Sequence, residues 1–189
     1  MKQYSNVVNG QLVDSGQSWA VKNPATTDVI GHAPISTADQ VNAAVAVAKA
    51  AQPGWAAKSD AERVEILMKL MGVFSENKQY LAEWVVKEQG KPLAGPGAIF
   101  EMDAVLGWTQ VPLSLDIPVD VVFEDETRRD ELHRRPFGVV GAIAPWNWPL
   151  MIAIWQIIPS LRMGNTVVIK PSEYTTLGTL EMVRLMNEV

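Results

Sequence analysis

The chain has 189 residues, which is long enough for one or two domains with a sizeable core. Its 48% hydrophobic and 20% charged residues are typical of a soluble globular protein and exclude a disordered or fibrous one. A net charge of −5 argues against nucleic acid or an anionic membrane surface as a partner, because both favour a basic patch. The lack of cysteine excludes disulfide bonds and thiolate metal sites.

Neither a signal peptide nor a membrane span is expected. The first residues, MKQYSNVVNGQLVDSG, contain no apolar run of signal-peptide length, so a cytoplasmic location is the default expectation. The longest apolar stretch, residues 149–158, is interrupted by Gln156 and falls short of the roughly 18 residues that cross a bilayer. It is predicted to be a buried helix.

The N-terminal third begins with strand signals and then changes to helical ones. Asn9–Gly10 lies between two short strand-like runs and predicts a tight hairpin. Thr37 and Gln40 have the spacing of a capping box, and the alanine-rich run that follows predicts a first helix. We expect Pro53–Gly54 to stop this helix.

Two further helices follow. Ser59 and Glu62 repeat the capping-box spacing before an apolar face at helical intervals, which predicts a second helix to about Phe74. Residues 76–88 predict a third helix, with Gly90 as its C-terminal cap.

The pattern then turns from helix to strand. After a loop rich in Pro and Gly, residues 98–108 are predicted to be helical. Residues 117–123 alternate and could pair with residues 131–137 across the charged turn 124–129, as an antiparallel ribbon. The arginine pairs of this region are interleaved with carboxylates, which favours a solvated strand face over a binding patch.

From Gly138 the rhythm is strand, helix, strand, helix, in the segments VVGAIA, PLMIAIWQIIPSLRM, TVVIK and LGTLEMVRLMNEV. This order predicts a βαβ unit with parallel strands and a right-handed crossover. A ligand crevice is expected where APWNWP and KPSE follow the strands, because loop backbone and helix N-termini meet there. No GxGxxG motif is present, so ordinary βα turns with packed tryptophans remain the alternative to dinucleotide binding.

Residues 135–173, RPFGVVGAIAPWNWPLMIAIWQIIPSLRMGNTVVIKPSE, closely resemble the start of the nucleotide-binding domain in the aldehyde dehydrogenase superfamily. The segments VVNGQ, EQGKPL and ETRRDELHRRPFGVVG follow that family in the same order. The resemblance implies an α/β chain with an incomplete fold of this family. Helices and β-hairpins (1–116) would precede an oligomerisation ribbon (117–137) and the first βαβ unit of a Rossmann-like parallel sheet (138–189).

The resemblance also implies a cofactor site. Residues of the first strand and its turn would line the phosphate and nicotinamide side of NAD: Ile143, Ala144, Pro145 and Trp146. Residues after the second strand would hold the adenosine ribose: Lys170, Pro171, Ser172 and Glu173. The Glu173 carboxylate would accept hydrogen bonds from both ribose hydroxyls and repel a 2′-phosphate, so NAD is expected over NADP.

Asn147 matches the asparagine whose side-chain amide donates to the oxyanion during attack on the aldehyde. Without the resemblance, an asparagine after a strand is a turn residue that satisfies its own backbone. The chain departs from many relatives at Gln156, where those carry a lysine, so a lysine proton relay is not transferable. His32 and His133 receive no catalytic role, and no metal site is expected.

The family chemistry needs a cysteine thiolate and a glutamate base, and the resemblance implies that both lie beyond Val189. The chain alone is therefore expected to be inactive. In the complete enzyme the substrate would be a small-molecule aldehyde. The expected partners are further copies of the chain, as a homo-oligomer, or a missing C-terminal half, with no nucleic acid and no membrane.

Two alternatives remain open beside the catalytic fragment: a non-catalytic interaction or oligomerisation module, and a plain nucleotide-binding protein. Two parallel strands alone would leave unpaired edges, so self-association is expected. Residues 177–189 are expected to fray for want of a sheet to pack on.

Overall fold

The computed structural model describes residues 2–189, which form eight strands and six helices. The strands are β1 Asn6–Val8, β2 Gln11–Val13, β3 Ser18–Lys22, β4 Val29–Pro34, β5 Asp120–Glu124, β6 Arg129–Leu132, β7 Val139–Ile143 and β8 Thr166–Lys170. The helices are α1 Ala38–Ala56, α2 Asp60–Glu76, α3 Lys78–Gln89, α4 Ala98–Ser114, α5 Pro149–Arg162 and α6 Thr176–Met186.

Two antiparallel hairpins open the chain. The predicted hairpin is confirmed as β1 with β2, and Asn9 and Gly10 take φ values of 53° and 71° between them. Such a tight turn needs left-handed backbone at both central positions, which Asn and Gly adopt most easily. Strands β3 and β4 form a second hairpin that the sequence patterns do not indicate. Its connection, residues 23–28, is too long to carry a two-residue turn signature.

The capping boxes of α1 and α2 are confirmed, since Thr37 and Ser59 both exchange the expected bonds with the third helical residue. The expectation that Pro53–Gly54 stops α1 is wrong, because the helix continues to Ala56. Tertiary hydrogen bonds hold this last turn. The Gln52 side chain donates to Gly164 O at 3.0 Å, and the Trp55 indole donates to Leu161 O at 2.7 Å. These contacts offset the one backbone bond that proline removes.

Helix α4 extends beyond the predicted 98–108, to Ser114, because its last turns are covered by α5. Thr109 and Leu113 are buried there, and the guanidinium of Arg162 donates to Pro112 O. Arg162 also pairs with Asp60 at 2.9 Å, which joins α5 to α2.

The predicted antiparallel ribbon is confirmed as β5 with β6, but the bounds of its second strand differ from the expected 131–137. Strand β6 begins at Arg129, inside the predicted turn 124–129, and ends at Leu132. Arg129 pairs with Glu124 at 3.2 Å, and Arg134 pairs with Asp120 at 2.8 Å. These exposed ion pairs agree with a solvated strand face.

The βαβ unit is confirmed. Strands β7 and β8 are parallel, with Val139 opposite Thr166 and Ile143 opposite Lys170, and α5 connects them. Helix α6 does not lack a surface to pack on, contrary to expectation, because Leu177 and Met182 are fully buried against other helices and β4. One large core joins α2, α3, α4, α5 and α6, so the first and third predicted segments share it. The three-segment division itself stays a prediction.

Candidate functional site

Two loops meet at the carboxyl edge of the parallel pair. Ile143 ends β7 opposite Lys170 at the end of β8, and Ala144 N donates to Lys170 O at 3.0 Å. The two groups of residues singled out in the sequence, 143–147 and 170–173, therefore lie side by side. A crevice at this edge is the usual ligand position in open α/β sheets.

The first loop presents apolar surface. Ile143 and Trp146 are 69% and 55% exposed, whereas Ala144 is buried and Pro145 is half-buried. The Gln156 side chain donates to Ile143 O at 3.2 Å and fixes the end of β7 from α5. This edge can pack against a flat, partly apolar group.

The second loop presents a carboxylate. Ser172 is buried, and its hydroxyl accepts from Tyr174 N at 3.3 Å, while Lys170 Nζ donates to Pro171 O at 2.8 Å. Glu173 is exposed, and within residues 2–189 its carboxylate has no ion-pair partner. The Ser172 hydroxyl donates to Glu173 Oε2 at 3.5 Å. The carboxylate can therefore accept hydrogen bonds from a ligand.

Asn147 lies in the turn between β7 and α5. Its side chain is exposed and makes no hydrogen bond to any of residues 2–189, so it does not satisfy its own backbone. Its carbonyl is held instead: the Gln89 side-chain amide donates to it at 2.8 Å and Lys91 Nζ donates at 2.9 Å. The backbone is thus fixed, and the side-chain amide is available as a donor.

A buried carboxylate supports this turn from α4. Glu101 is fully buried, and its Oε1 accepts from Leu150 N at 2.9 Å and from Met151 N at 3.2 Å, at the start of α5. Its Oε2 accepts from Lys91 Nζ at 2.7 Å. Gln89, Lys91 and Glu101 are not among the residues that the sequence singles out. The one signal for Gln89 and Lys91 is that they lie in the EQGKPL segment.

Glu88 binds first-turn amides of α6, as Glu101 binds those of α5. Its two carboxylate oxygens accept from Leu177 N at 2.6 Å and from Gly178 N at 2.7 Å. Burial raises the pKa of Glu88 to about 7, although the hydrogen bonds from Gly178 and Leu177 oppose the rise.

These two carboxylates change the expected chemistry of the crevice. A helix N-terminus binds an anion through unsatisfied amides and the positive end of the helix dipole. Here Glu101 and Glu88 already accept from the first-turn amides of α5 and α6. The amides of Leu150, Met151, Leu177 and Gly178 are therefore occupied by these carboxylates. The expected contribution of the helix N-termini to a ligand site stays a prediction.

Within the described chain, no group of three or more acidic, histidine or cysteine side chains could hold a metal ion. None of the helices between residues 2 and 189 combines the length and apolar character that a membrane span requires.

Comparisons with known proteins agree on one family. A model described as "Aldehyde dehydrogenase family" matches residues 12–189. Malonate-semialdehyde dehydrogenase of Halalkalibacterium halodurans is 32% identical over 194 residues, covering 99% of this chain and 39% of that protein.

Two solved structures share the fold. A 3,6-anhydro-L-galactose dehydrogenase in complex with NAP has a TM-score of 0.91 and 36% identity, over 99% of this chain and 40% of its own. PnpE in complex with nicotinamide adenine dinucleotide has a TM-score of 0.92 and 34% identity, over 98% of this chain and 39% of its own. The chain thus spans about two fifths of the length of these relatives and matches their α/β fold. A family model that matches almost the whole sequence, together with these structural neighbours, shows that the chain belongs to the aldehyde dehydrogenase family.

Proposed function

We propose that the chain supplies the oxyanion donor and part of the NAD site of an enzyme that oxidises an aldehyde to a carboxylic acid. The observation that carries this proposal is the state of Asn147. Its backbone carbonyl accepts hydrogen bonds from the Gln89 and Lys91 side chains, while its side-chain amide is exposed and makes no hydrogen bond to any of residues 2–189. That combination is what an oxyanion donor requires, because the donor must be aimed in advance at charge that develops during the reaction.

Asn147 acts on the aldehyde, and the residues before it contact the cofactor. The Asn147 amide donates to the carbonyl oxygen of the aldehyde as a nucleophile attacks, and it stabilises the negative charge on that oxygen. The exposed Ile143 and Trp146, beside Ala144 and Pro145, pack against the cofactor. When bound, NAD accepts the hydride and so provides the oxidation.

Glu173 sets the cofactor preference. Its carboxylate is exposed and without an ion-pair partner in residues 2–189, so it can accept from the 2′- and 3′-hydroxyls of the adenosine ribose. A 2′-phosphate at that place would meet a like charge at short range. Lys170, Pro171 and Ser172 shape the loop around it, and NAD is therefore preferred over NADP.

The sequence contains no cysteine, so the thiolate of the proposed reaction comes from the part of the enzyme that supplies the rest of the family's length. We call this chain together with that part the completed enzyme. A cytoplasmic location also remains a proposal.

A second candidate function is a non-catalytic oligomerisation module. The β5–β6 ribbon favours it, because apolar side chains stand on its surface beside its ion pairs: Val122 is 65% exposed and Leu132 is 51% exposed. In the first proposal the same ribbon joins copies of the enzyme. Both candidate functions therefore use this surface, and only the enzyme turns over an aldehyde.

Aldehyde-dependent formation of NADH separates them. The chain alone should show none above a heat-inactivated sample, and the completed enzyme should turn over. Under either candidate function, Val122→Lys in the ribbon should lower the oligomeric state of the completed enzyme. A completed enzyme that assembles but stays inactive with a panel of aliphatic, aromatic and semialdehyde substrates would favour the module.

A further inference from the structure

Side chains from outside the crevice hold the backbone beneath Asn147. We infer that Gln89 and Lys91 are positioning residues for the oxyanion donor, an inference that rests on the proposed function. Neither side chain would touch the aldehyde or the cofactor. Both act through the peptide groups on either side of the Asn147 Cα.

The contacts fix two consecutive carbonyls. The Gln89 side-chain amide donates to Trp146 O at 2.9 Å and to Asn147 O at 2.8 Å. Lys91 Nζ donates to the same Asn147 O at 2.9 Å. Because the peptides before and after Asn147 are both held, the direction of its Cα–Cβ bond is set by α3 and the residues that follow it.

Lys91 is itself held from three sides. Its ammonium lies 2.7 Å from Glu101 Oε2 and 3.8 Å from the centroid of the Trp148 ring, in addition to the Asn147 carbonyl. The Lys91 side chain is only 11% exposed and Glu101 is fully buried, so solvent does not screen the pair. Phe100 packs edge-on against Trp148 at 5.9 Å and fixes the ring. The donor to Asn147 therefore has a defined place.

Glu101 extends this support into α5. Its second oxygen binds the amides of Leu150 and Met151, so one carboxylate connects the ammonium to the start of the helix. A turn held at both ends keeps its shape as charge develops, which is the condition for preorganised stabilisation.

A positioning role and a purely structural role predict different kinetics. Misaiming an oxyanion donor weakens only the transition state, so kcat falls while KM stays constant. The loss must also disappear once the Asn147 amide is gone, because there is then nothing left to aim. A loosened fold would lower kcat whether or not Asn147 is present.

The test uses two variants of the completed enzyme. The first is Gln89→Met, which changes no charge. The second is a double variant, Lys91→Met with Glu101→Gln, which removes both buried charges together. Each should lower kcat by about 10- to 100-fold, with KM for aldehyde and NAD within about threefold of the parent. In an Asn147→Ala background each should lower kcat by less than about threefold. Lys87→Met is the matched control, since Lys87 lies on α3 but is half exposed, and its ammonium contacts Glu83 and the Trp84 ring instead of the turn at Asn147.

An unfolding midpoint close to that of the parent would show that a variant retains the fold. Equal losses of kcat in the parent and in the Asn147→Ala background would overturn the inference, as would a parental kcat for Gln89→Met. If Asn147→Ala alone leaves kcat unchanged, the proposed function fails and the positioning role fails with it. If Asn147→Ala lowers kcat but Gln89→Met does not, only the positioning role fails.

Discussion

The substitution Glu88→Gln should remove a pH-dependent contribution to stability. Glu88 is 5% exposed, and burial raises its pKa from 4.5 to about 7. The folded state therefore binds the Glu88 proton more tightly than the unfolded state does. Its contribution to the free energy of unfolding is fully present below pH 4.5 and is lost as the pH rises through about 7. The difference between these pKa values corresponds to about 3 kcal/mol.

The assay is urea denaturation of the parent and of Glu88→Gln between pH 4.5 and pH 8. The free energy of unfolding of the parent, minus that of the variant, should fall by about 3 kcal/mol over this range. Glu83→Gln is the matched control for the carboxyl-to-amide change, because Glu83 lies on the same helix with a half-exposed side chain. A Glu88 difference that is constant or that grows with pH would refute the reasoning. Growth would mean that the bonds from Leu177 and Gly178 outweigh burial.

Three further predictions follow from the site, a close backbone contact and the sheet edges. In the completed enzyme, Glu173→Ser should narrow or reverse the preference for NAD in kcat/KM; equal values for NAD and NADP in the parent, unaltered by the substitution, would contradict this. Gly97→Ala should lower the free energy of unfolding by about 1–3 kcal/mol, because a Cβ would lie 1.9 Å from Pro92 O, whereas Gly72→Ala, in open space on α2, should stabilise by up to about 1 kcal/mol. The chain alone should self-associate through the open edges of β7 and β8, so a compact monomer in light scattering, with its strongest hydrogen-exchange protection in residues 139–169, would contradict that expectation.

The fold could be predicted where its signals are local. Asn9–Gly10, the two capping boxes and the alternation of strand and helix after Gly138 each specify a structure within a few residues. The errors arise where distant contacts decide. Helix α1 passes Pro53 because Gln52 and Trp55 bond to residues more than 100 positions away.

For the candidate site, too, the local pattern predicts one part and distant contacts decide the other. Strand order places 143–147 beside 170–173, so their proximity follows from the βαβ pattern alone. The roles of Asn147 and Glu173 came from the family resemblance and remain proposals. The support beneath Asn147 could not be read from the sequence, because Gln89 and Lys91 meet their acceptors across 56 to 58 positions of chain.

The central claim is that the Asn147 amide stabilises the oxyanion, and its most direct test is kcat of the completed enzyme carrying Asn147→Ala. We expect kcat to fall by about 10²- to 10³-fold. The dissociation constant for NAD, measured by fluorescence titration, should change less than about twofold because Asn147 acts on the aldehyde oxygen. A kcat equal to that of the parent would contradict the claim.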